Sequence, residues 1–120
     1  MRNLTIDIGN TRAKAAVFDN SRLEERRAWE TWSFETIFDW ATNLRVENVI
    51  LSVVGTPLSD EDKARIASRF RFVELTAATA LPFHNLYATP HTLGKDRIAA
   101  VAGAYALFPG QNCLVIDAGT

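Results

Sequence analysis

The sequence TIDIGNT at residues 5–11 returns in shortened form as VIDAGT at residues 115–120. Each copy joins an apolar, strand-like run to Asp, one further residue, Gly and a nearby Thr. Gly allows a tight turn that presents backbone N–H groups to phosphate oxygens, the Thr hydroxyl adds a donor, and the Asp can hold Mg²⁺ or a water bound to it. One Asp-x-Gly alone is more often a structural turn than a binding site. The pair, with strands and helices between its members, predicts two facing phosphate loops that clamp a polyphosphate.

The sequence between the two copies changes from a strand period to a helix period and back. Apolar residues alternate in the first three segments, which predicts an antiparallel meander, and later they recur at helical spacing after Ser33 and Ser59. The run VILSVV at residues 49–54 predicts a strand that is buried on both faces. The predicted elements are strands at 3–8, 13–18 and 23–31, a helix at 33–44, a strand at 48–54, a helix at 59–70 and a strand at 72–75. We therefore predict an α/β fold with a mixed sheet in βββαβαβ order, flanked by helices.

Residues 76–94 connect the last of these strands to a third predicted helix and show no clear period. A connection of this length is more often functional than neutral, and its Phe83, Leu86 and Tyr87 are candidates for the wall of a pocket. The third helix begins at Lys95, and both of its faces are apolar, one of them built from small residues, which predicts close packing on both sides. The first face holds Ile98, Val101, Ala102, Tyr105 and Phe108, and the second holds Ala99, Ala100, Gly103 and Ala104. Residues 113–116 predict one more buried strand.

Composition and charge narrow the possible classes of protein. The 120 residues are 48% hydrophobic and 22% charged, which is enough apolar content for one folded core. With 13 basic and 14 acidic residues, no overall field attracts the chain to nucleic acid or to an anionic membrane. Asp7 interrupts any signal-peptide core, and the lone Cys113 with two histidines makes neither an internal disulfide nor a zinc site. We expect a cytoplasmic protein with a local binding site, and neither nucleic acid nor a membrane as its partner.

Three segments together resemble one known family. They are DIGNTRAK at 7–14, YATPHTLGKDR at 87–97 and DAGT at 117–120. The two phosphate loops resemble those of the acetate and sugar kinase, Hsp70 and actin superfamily, and the Gly-x-Asp-Arg at the start of an alanine-rich helix resembles the type III pantothenate kinases. The resemblance implies a ribonuclease-H-like (actin-like ATPase) domain over residues 1–111. Residues 112–120 would then be the first strand and phosphate loop of a second, truncated domain.

The same resemblance implies an activity and its requirements. Members of this family use ATP to phosphorylate pantothenate to 4′-phosphopantothenate, the first step of coenzyme A biosynthesis. They work as homodimers and require Mg²⁺ and a monovalent cation, K⁺ or NH₄⁺. The family's second domain adds nucleotide and substrate contacts, so the isolated 120-residue chain could be inactive.

Roles for individual residues also follow from the resemblance. By this resemblance, ATP binds at Asp7, Ile8, Gly9, Asn10, Thr11, Arg12, Ala13, Lys14 and Thr120. Pantothenate binds at Tyr87, Gly94, Lys95, Asp96 and Arg97. Asp96 is similar to the family's general base, which takes the proton from the pantothenate hydroxyl, and Arg97 would pair with the pantothenate carboxylate. Asp117 is similar to the ligand of the monovalent cation.

Structural roles and other functions remain open for these residues. An Asp in the first turn of a helix is stabilising in itself, and Lys14 and Arg97 can be ordinary surface residues. A different small-molecule kinase of the same superfamily would be favoured if the Gly-x-Asp-Arg segment lay away from the phosphate loops. A third possibility is a non-catalytic regulatory or accessory factor of the same family. The three carboxylates Asp7, Asp96 and Asp117 argue against that possibility, because a domain kept only for binding does not need them.

Overall fold

The computed structural model of the protein describes residues 1–118. Its elements, in chain order, are β1 (Arg2–Ile8), β2 (Ala13–Asp19), β3 (Arg22–Trp29), α1 (Phe34–Thr42), β4 (Asn48–Val53), α2 (Asp60–Arg69), β5 (Arg71–Glu74), a 3₁₀ turn (Pro90–Thr92) and α3 (Lys95–Leu107). The bounds of the strands and of α1 and α2 lie within two residues of the predicted ones. Alternation and helical spacing therefore located these elements well.

The strands form one mixed sheet in the order β3-β2-β1-β4-β5. The first three make the predicted antiparallel meander, in which β1 pairs with β2 and β2 with β3. The strand β4 then lies parallel to β1 on its other side, and β5 lies parallel to β4. Parallel neighbours need a crossover connection, which α1 and α2 provide. The predicted α/β class with a mixed sheet is confirmed, and β1 lies in the middle of the sheet.

The core lies on one face of this sheet, under α1 and α2. Alternate residues of β1 and β4 point to this face, as the period of two requires. The four largest of the core side chains that are less than 2% exposed each contribute about 1.5–3 kcal/mol to folding by their burial. These four are Leu4, Val17, Val49 and Leu51. From the helices, Ile37, Ala41, Ile66 and Phe70 complete the cluster.

Both helices of this layer begin at the predicted serine caps. The Ser33 hydroxyl accepts a hydrogen bond from the backbone N–H of Thr36 at 3.2 Å, and the Ser59 hydroxyl accepts one from Asp62 at 3.1 Å. Each bond satisfies one of the N–H groups that a helix leaves free at its start. The guanidinium of Arg65 also lies over the rings of Phe34 and Phe38, at 5.0 and 4.7 Å from their centroids, so a cation–π contact joins α2 to α1.

The third helix is less covered than its sequence predicts. It contacts β4, and its one buried residue is Ile98, which does not belong to the cluster under α1 and α2. Val101, Tyr105 and Phe108 are 37–50% exposed, and Gly103 on the small-residue face is exposed as well. The prediction of close packing on both sides is therefore wrong for residues 1–118. An apolar face can be read from the period, but its burial needs a partner layer, and residues 1–118 bury this helix only at Ile98.

The predicted strand at 113–116 is also absent. Residues 113–118 have no regular structure, and Leu114, Val115 and Ile116 are 88%, 37% and 77% exposed. A strand exists only beside a hydrogen-bonded neighbour, and within residues 1–118 no strand pairs with this segment. Gly119 and Thr120 of the second motif lie outside the described residues. In the described part of the chain, every helix is too short or too polar to cross a membrane.

Candidate functional site

The carboxylate of Asp7 lies near the end of the central strand, on the face opposite the main core. In the sheet register Asp7 pairs with Lys14 of β2 on one side and with Ser52 of β4 on the other. Residues in register on neighbouring strands point to the same face. The pairing therefore places one carboxylate between a cation and a hydroxyl.

The loop from β1 to β2 is a tight hairpin connection over residues 9–12. The backbone N–H of Gly9 donates to the carbonyl of Arg12 at 2.9 Å and closes the loop, so Asn10 and Thr11 form its exposed tip. A Cβ atom on Gly9 would lie 3.3 Å from that same carbonyl oxygen, so the close approach favours glycine here. The loop has the short, exposed form that backbone N–H groups need to contact an anion.

Gly55 supports this loop from the neighbouring strand connection, and the sequence analysis did not single it out. The N–H of Val54 donates to the carbonyl of Ile8 at 2.8 Å, which extends the β1–β4 pairing up to the loop. Gly55 then has a φ of +92°, and a Cβ atom at this position would lie 2.9 Å from Oδ1 of Asn10. Glycine therefore serves both the left-handed backbone and the contact with Asn10. A Gly directly after a buried strand was the available signal.

The start of α3 brings the Gly-x-Asp-Arg segment to the same region. Gly94 is the N-cap, Asp96 lies in the first turn, and Oδ1 of Asp96 accepts a hydrogen bond from the backbone N–H of Arg97 at 3.0 Å. A Cβ atom on Gly94 would lie 2.5 Å from that Oδ1. The glycine thus leaves the space in which the Asp96 carboxylate is held. A carboxylate in this position is favoured by the helix dipole.

These parts meet in one open cleft between the β1–β2 loop and the start of α3. The cleft is lined by Asp7, Gly9, Asn10, Thr11, Arg12, Lys14, Val54, Asp96, Arg97, Asp117 and Ala118. Three cationic side chains and the loop N–H groups suit an anion with several phosphates, and three carboxylates suit a cation or a proton. The first motif, the Gly-x-Asp-Arg segment and the Asp of the second motif therefore share one site.

A comparison with known protein families agrees with this convergence. The model of the type III pantothenate kinase family matches residues 3–120, almost the whole chain. The chain belongs to the type III pantothenate kinase family. The resemblance inferred from the three sequence segments is thereby confirmed.

Relatives in this family are similar over nearly the full chain. It is 46% identical to a type III pantothenate kinase of Christiangramia forsetii, 41% to one of Phocaeicola vulgatus and 40% to one of Flavobacterium johnsoniae, each over 98% of the chain. The matches cover 49%, 49% and 48% of these relatives. The chain thus spans about half the length of the curated type III pantothenate kinases it matches.

Some residues that the sequence analysis assigned to the site lie away from the cleft. The side chains of Ile8 and Ala13 are 3% and 0% exposed and belong to the main core, so only their backbone can face a ligand. Tyr87 is 49% exposed in the long connection. Gly94 and Lys95 are half-buried at the start of α3, next to the cleft but not in its lining. Thr120 lies outside the described residues.

The electrostatics of the cleft centre on Asp7. Burial raises the pKa of Asp7 above its ordinary value, and the negative charges of Asp96 and Asp117 raise it further. The Ser52 hydroxyl and the Lys14 ammonium act in the opposite direction without cancelling the rise. A cation that enters the cleft would relieve this repulsion, because it would interact favourably with all three carboxylates.

The donor set of the cleft fits a metal that arrives with phosphates better than a metal held by protein alone. Within residues 1–118, no three His, Cys, Asp or Glu side chains lie close enough together to hold an ion by themselves. Mg²⁺ in phosphoryl-transfer enzymes is bound by one or two carboxylates together with substrate phosphates. One oxygen of Asp7, Oδ1, is buried without a hydrogen-bond partner in the described residues. Asp7 is therefore a suitable single-carboxylate ligand.

Proposed function

We propose that the protein phosphorylates pantothenate with ATP to give 4′-phosphopantothenate, the first step of coenzyme A biosynthesis. The observation that carries this proposal is the shared cleft, in which Asp96 and Arg97 of α3 line the same space as the β1–β2 loop. A different small-molecule kinase would be favoured if the Gly-x-Asp-Arg segment lay away from the β1–β2 loop, but the two line the same cleft. Membership of the type III pantothenate kinase family supports the specific substrate.

We also assign the fold to the ribonuclease-H-like, actin-like ATPase group. Support comes from the sheet order β3-β2-β1-β4-β5, with an antiparallel meander followed by two parallel strands. In this assignment residues 1–111 are the N-terminal domain, and 112–120 begin a second one. The repeat of the first motif at 115–120 supports the second assignment.

ATP binds with its phosphates over the β1–β2 loop. The remaining N–H groups of the loop and the ammonium of Lys14 would face the phosphate oxygens, and Thr120 would add a contact from the second motif. Asp7 would hold Mg²⁺ together with the phosphates. When bound, Mg²⁺ neutralises charge on the phosphates and so helps the transferred group to leave ADP.

Pantothenate binds at the start of α3, next to Tyr87, Gly94 and Lys95. The guanidinium of Arg97 pairs with its carboxylate. The Oδ1 atom of Asp96 is engaged by the N–H of Arg97, and this bond fixes the carboxylate so that Oδ2 can accept the hydroxyl proton. The hydroxyl oxygen then bonds to the γ-phosphorus of ATP as the bond to the ADP oxygen breaks. Positioning and charge neutralisation account for most of the acceleration in such a transfer.

Three further requirements complete the proposal. Asp117, which lines the cleft, binds a monovalent cation, K⁺ or NH₄⁺. The enzyme is a homodimer, and the exposed apolar residues of α3 are consistent with a contact between copies or domains. It acts in the cytoplasm.

The test is pantothenate-dependent ADP formation by the protein at the full length of its relatives, with Mg²⁺ and with either K⁺ or Na⁺. We expect turnover that requires pantothenate, is faster with K⁺, and falls at least about 100-fold in Asp96→Asn. The matched control is Asp60→Asn, which makes the same change in the first turn of α2, away from the cleft. This control is expected to keep full turnover.

Two outcomes would contradict the proposal. A protein that binds ATP but forms no ADP with pantothenate would favour another substrate or the regulatory alternative. Equal losses of turnover in Asp96→Asn and Asp60→Asn would show that Asp96 stabilises its helix and does not act as the general base.

A further inference from the structure

Ser52 is the one polar side chain that is buried among residues 1–118, at 6% exposure. It interrupts the apolar run of β4, and its neighbours Leu51 and Val53 are buried on the opposite face. Its hydroxyl oxygen has no hydrogen-bond partner in the described part of the chain. Buried polar groups in native proteins nearly always have a partner, so an unpartnered one needs an explanation.

The second unpartnered oxygen of this region lies beside it. Ser52 pairs in register with Asp7, and Oδ1 of Asp7 is likewise buried and without a partner in residues 1–118. Neighbouring strands lie about 4.8 Å apart, so a rotation of the serine side chain brings its hydroxyl within reach of that oxygen. By contrast, Thr5 on the same face of β1 has a hydroxyl that donates to the carbonyl of Ala16 at 3.4 Å. The register thus places an unpartnered acceptor beside the Ser52 hydroxyl, and this acceptor belongs to the carboxylate of the site.

We propose that Ser52 is a positioning residue for Asp7. Its hydroxyl donates to Oδ1 of the ionised carboxylate, and this bond holds the other oxygen, Oδ2, toward the cleft. The inference rests on the proposed function, because it is the Mg²⁺ of bound Mg·ATP that the oriented oxygen would contact. Ser52 touches neither the nucleotide nor the metal and is not part of the cleft lining.

A double-mutant cycle on nucleotide affinity tests this inference. The protein at the full length of its relatives is titrated with Mg·ATP in the absence of pantothenate, by calorimetry, so no turnover is needed. We expect Ser52→Ala to weaken Mg·ATP binding about 5- to 10-fold. In a protein that already carries Asp7→Asn, the same substitution should change the affinity less than about 2-fold, because a residue that acts through the Asp7 carboxylate has no effect once that carboxylate is removed. With ADP and no Mg²⁺, Ser52→Ala should match the unmodified protein.

The matched control is Thr5→Val, which removes a hydroxyl from the same face of the sheet and keeps the shape of the side chain. It should leave Mg·ATP affinity within about 2-fold. Equal losses from Ser52→Ala with and without the Asp7→Asn change, or an equal loss for Mg²⁺-free ADP, would overturn the inference and make Ser52 a packing residue.

Failure of the proposed function gives different results. If the protein binds Mg·ATP and does not phosphorylate pantothenate, the substrate assignment is wrong while the cycle still decides the role of Ser52. If the protein does not bind Mg·ATP at all, the proposed function and the role of Ser52 both fall.

Discussion

Gly55 and Asn10 come from two different loops and lie against each other at the rim of the cleft. The backbone of Gly55 is left-handed, and the space that a Cβ atom would need is occupied by the side-chain oxygen of Asn10. Because Gly55 has no side chain, Asn10 of the β1–β2 loop can pack directly against the backbone that follows β4.

Replacing Gly55 with Ala should affect both stability and nucleotide binding. We expect a loss of about 1–3 kcal/mol in the free energy of unfolding from the left-handed backbone, and a rise in KM for ATP because Asn10 must move. The measurements are thermal unfolding and steady-state kinetics on the protein at the full length of its relatives. Gly110→Ala is the matched control, since Gly110 also has a positive φ of 71° but no atom within 4 Å of its Cβ position. A raised KM in both variants would show that the contact with Asn10 is unimportant.

Asp7 should make the stability of the ligand-free protein depend on pH. Its pKa is raised by folding, so below the unfolded value near 3.8 both states are protonated and Asp7 contributes nothing. As pH rises through the folded pKa, the folded state must ionise a half-buried group, and stability is lost. Asp7→Asn removes this loss, so its stability relative to the unmodified protein should be unchanged at pH 3 and higher at neutral pH. Thermal unfolding from pH 3 to 8 measures the difference, with Asp39→Asn, on the exposed side of α1, as control.

At the scale of elements, α1 and α2 form a layer that is separate from the cleft. They cover the face of the sheet opposite Asp7, and they are tied together by Arg65, which contacts two rings of α1. Changes in this layer should therefore alter stability without altering the chemistry of the site.

Removal of the N-cap of α2 should lower stability without changing activity. Ser59→Ala deletes the hydroxyl that accepts from the N–H of Asp62, and we expect a cost of about 1 kcal/mol with kcat and KM unchanged. The control is Ser68→Ala near the other end of α2, where the hydroxyl donates to the carbonyl of Arg65 and caps no free N–H group. Thermal unfolding should separate the two variants by a few degrees. Identical unfolding temperatures would mean that the Ser59 cap contributes little.

The elements also show what a sequence can predict and what it cannot. Strands, helices and serine caps depend on neighbours within a few residues, so periodicity placed them within two residues. The importance of Ser52 and Gly55 depends on the pairing of β4 with β1, whose partners are about 45 residues apart, and no local pattern reports it. Periodicity also predicted the apolar character of α3 and of residues 113–116. It does not indicate whether another layer of the structure covers them.

At the scale of the whole molecule, packing is uneven across the two faces of the sheet. Fourteen buried residues form one cluster that includes the face under α1 and α2, whereas α3 contributes only Ile98 to burial. The two sides should therefore open with different free energies.

Hydrogen exchange of the 120-residue chain tests this difference. We expect amides of β1 and β4 to be the most protected and those of the second half of α3 to exchange much faster, because Tyr105, Leu107 and Phe108 are largely exposed. The same measurement on the protein at the full length of its relatives shows whether the remaining part of the protein protects α3. Equal protection of α3 and β1 in the 120-residue chain would contradict the uneven packing.

The β1–β2 hairpin, which carries the proposed phosphate loop, has a consequence for the order of folding. The strands β1 and β2 are joined by four residues, 9–12, and such hairpins close in about 1–10 μs. The pairing of Asp7 with Ser52 in the sheet instead requires a chain closure of about 45 residues, which is entropically more costly and slower. The loop should thus reach its final shape while the carboxylate beside it is still free to rotate, so the capacity to bind phosphate would precede the capacity to orient a metal during refolding.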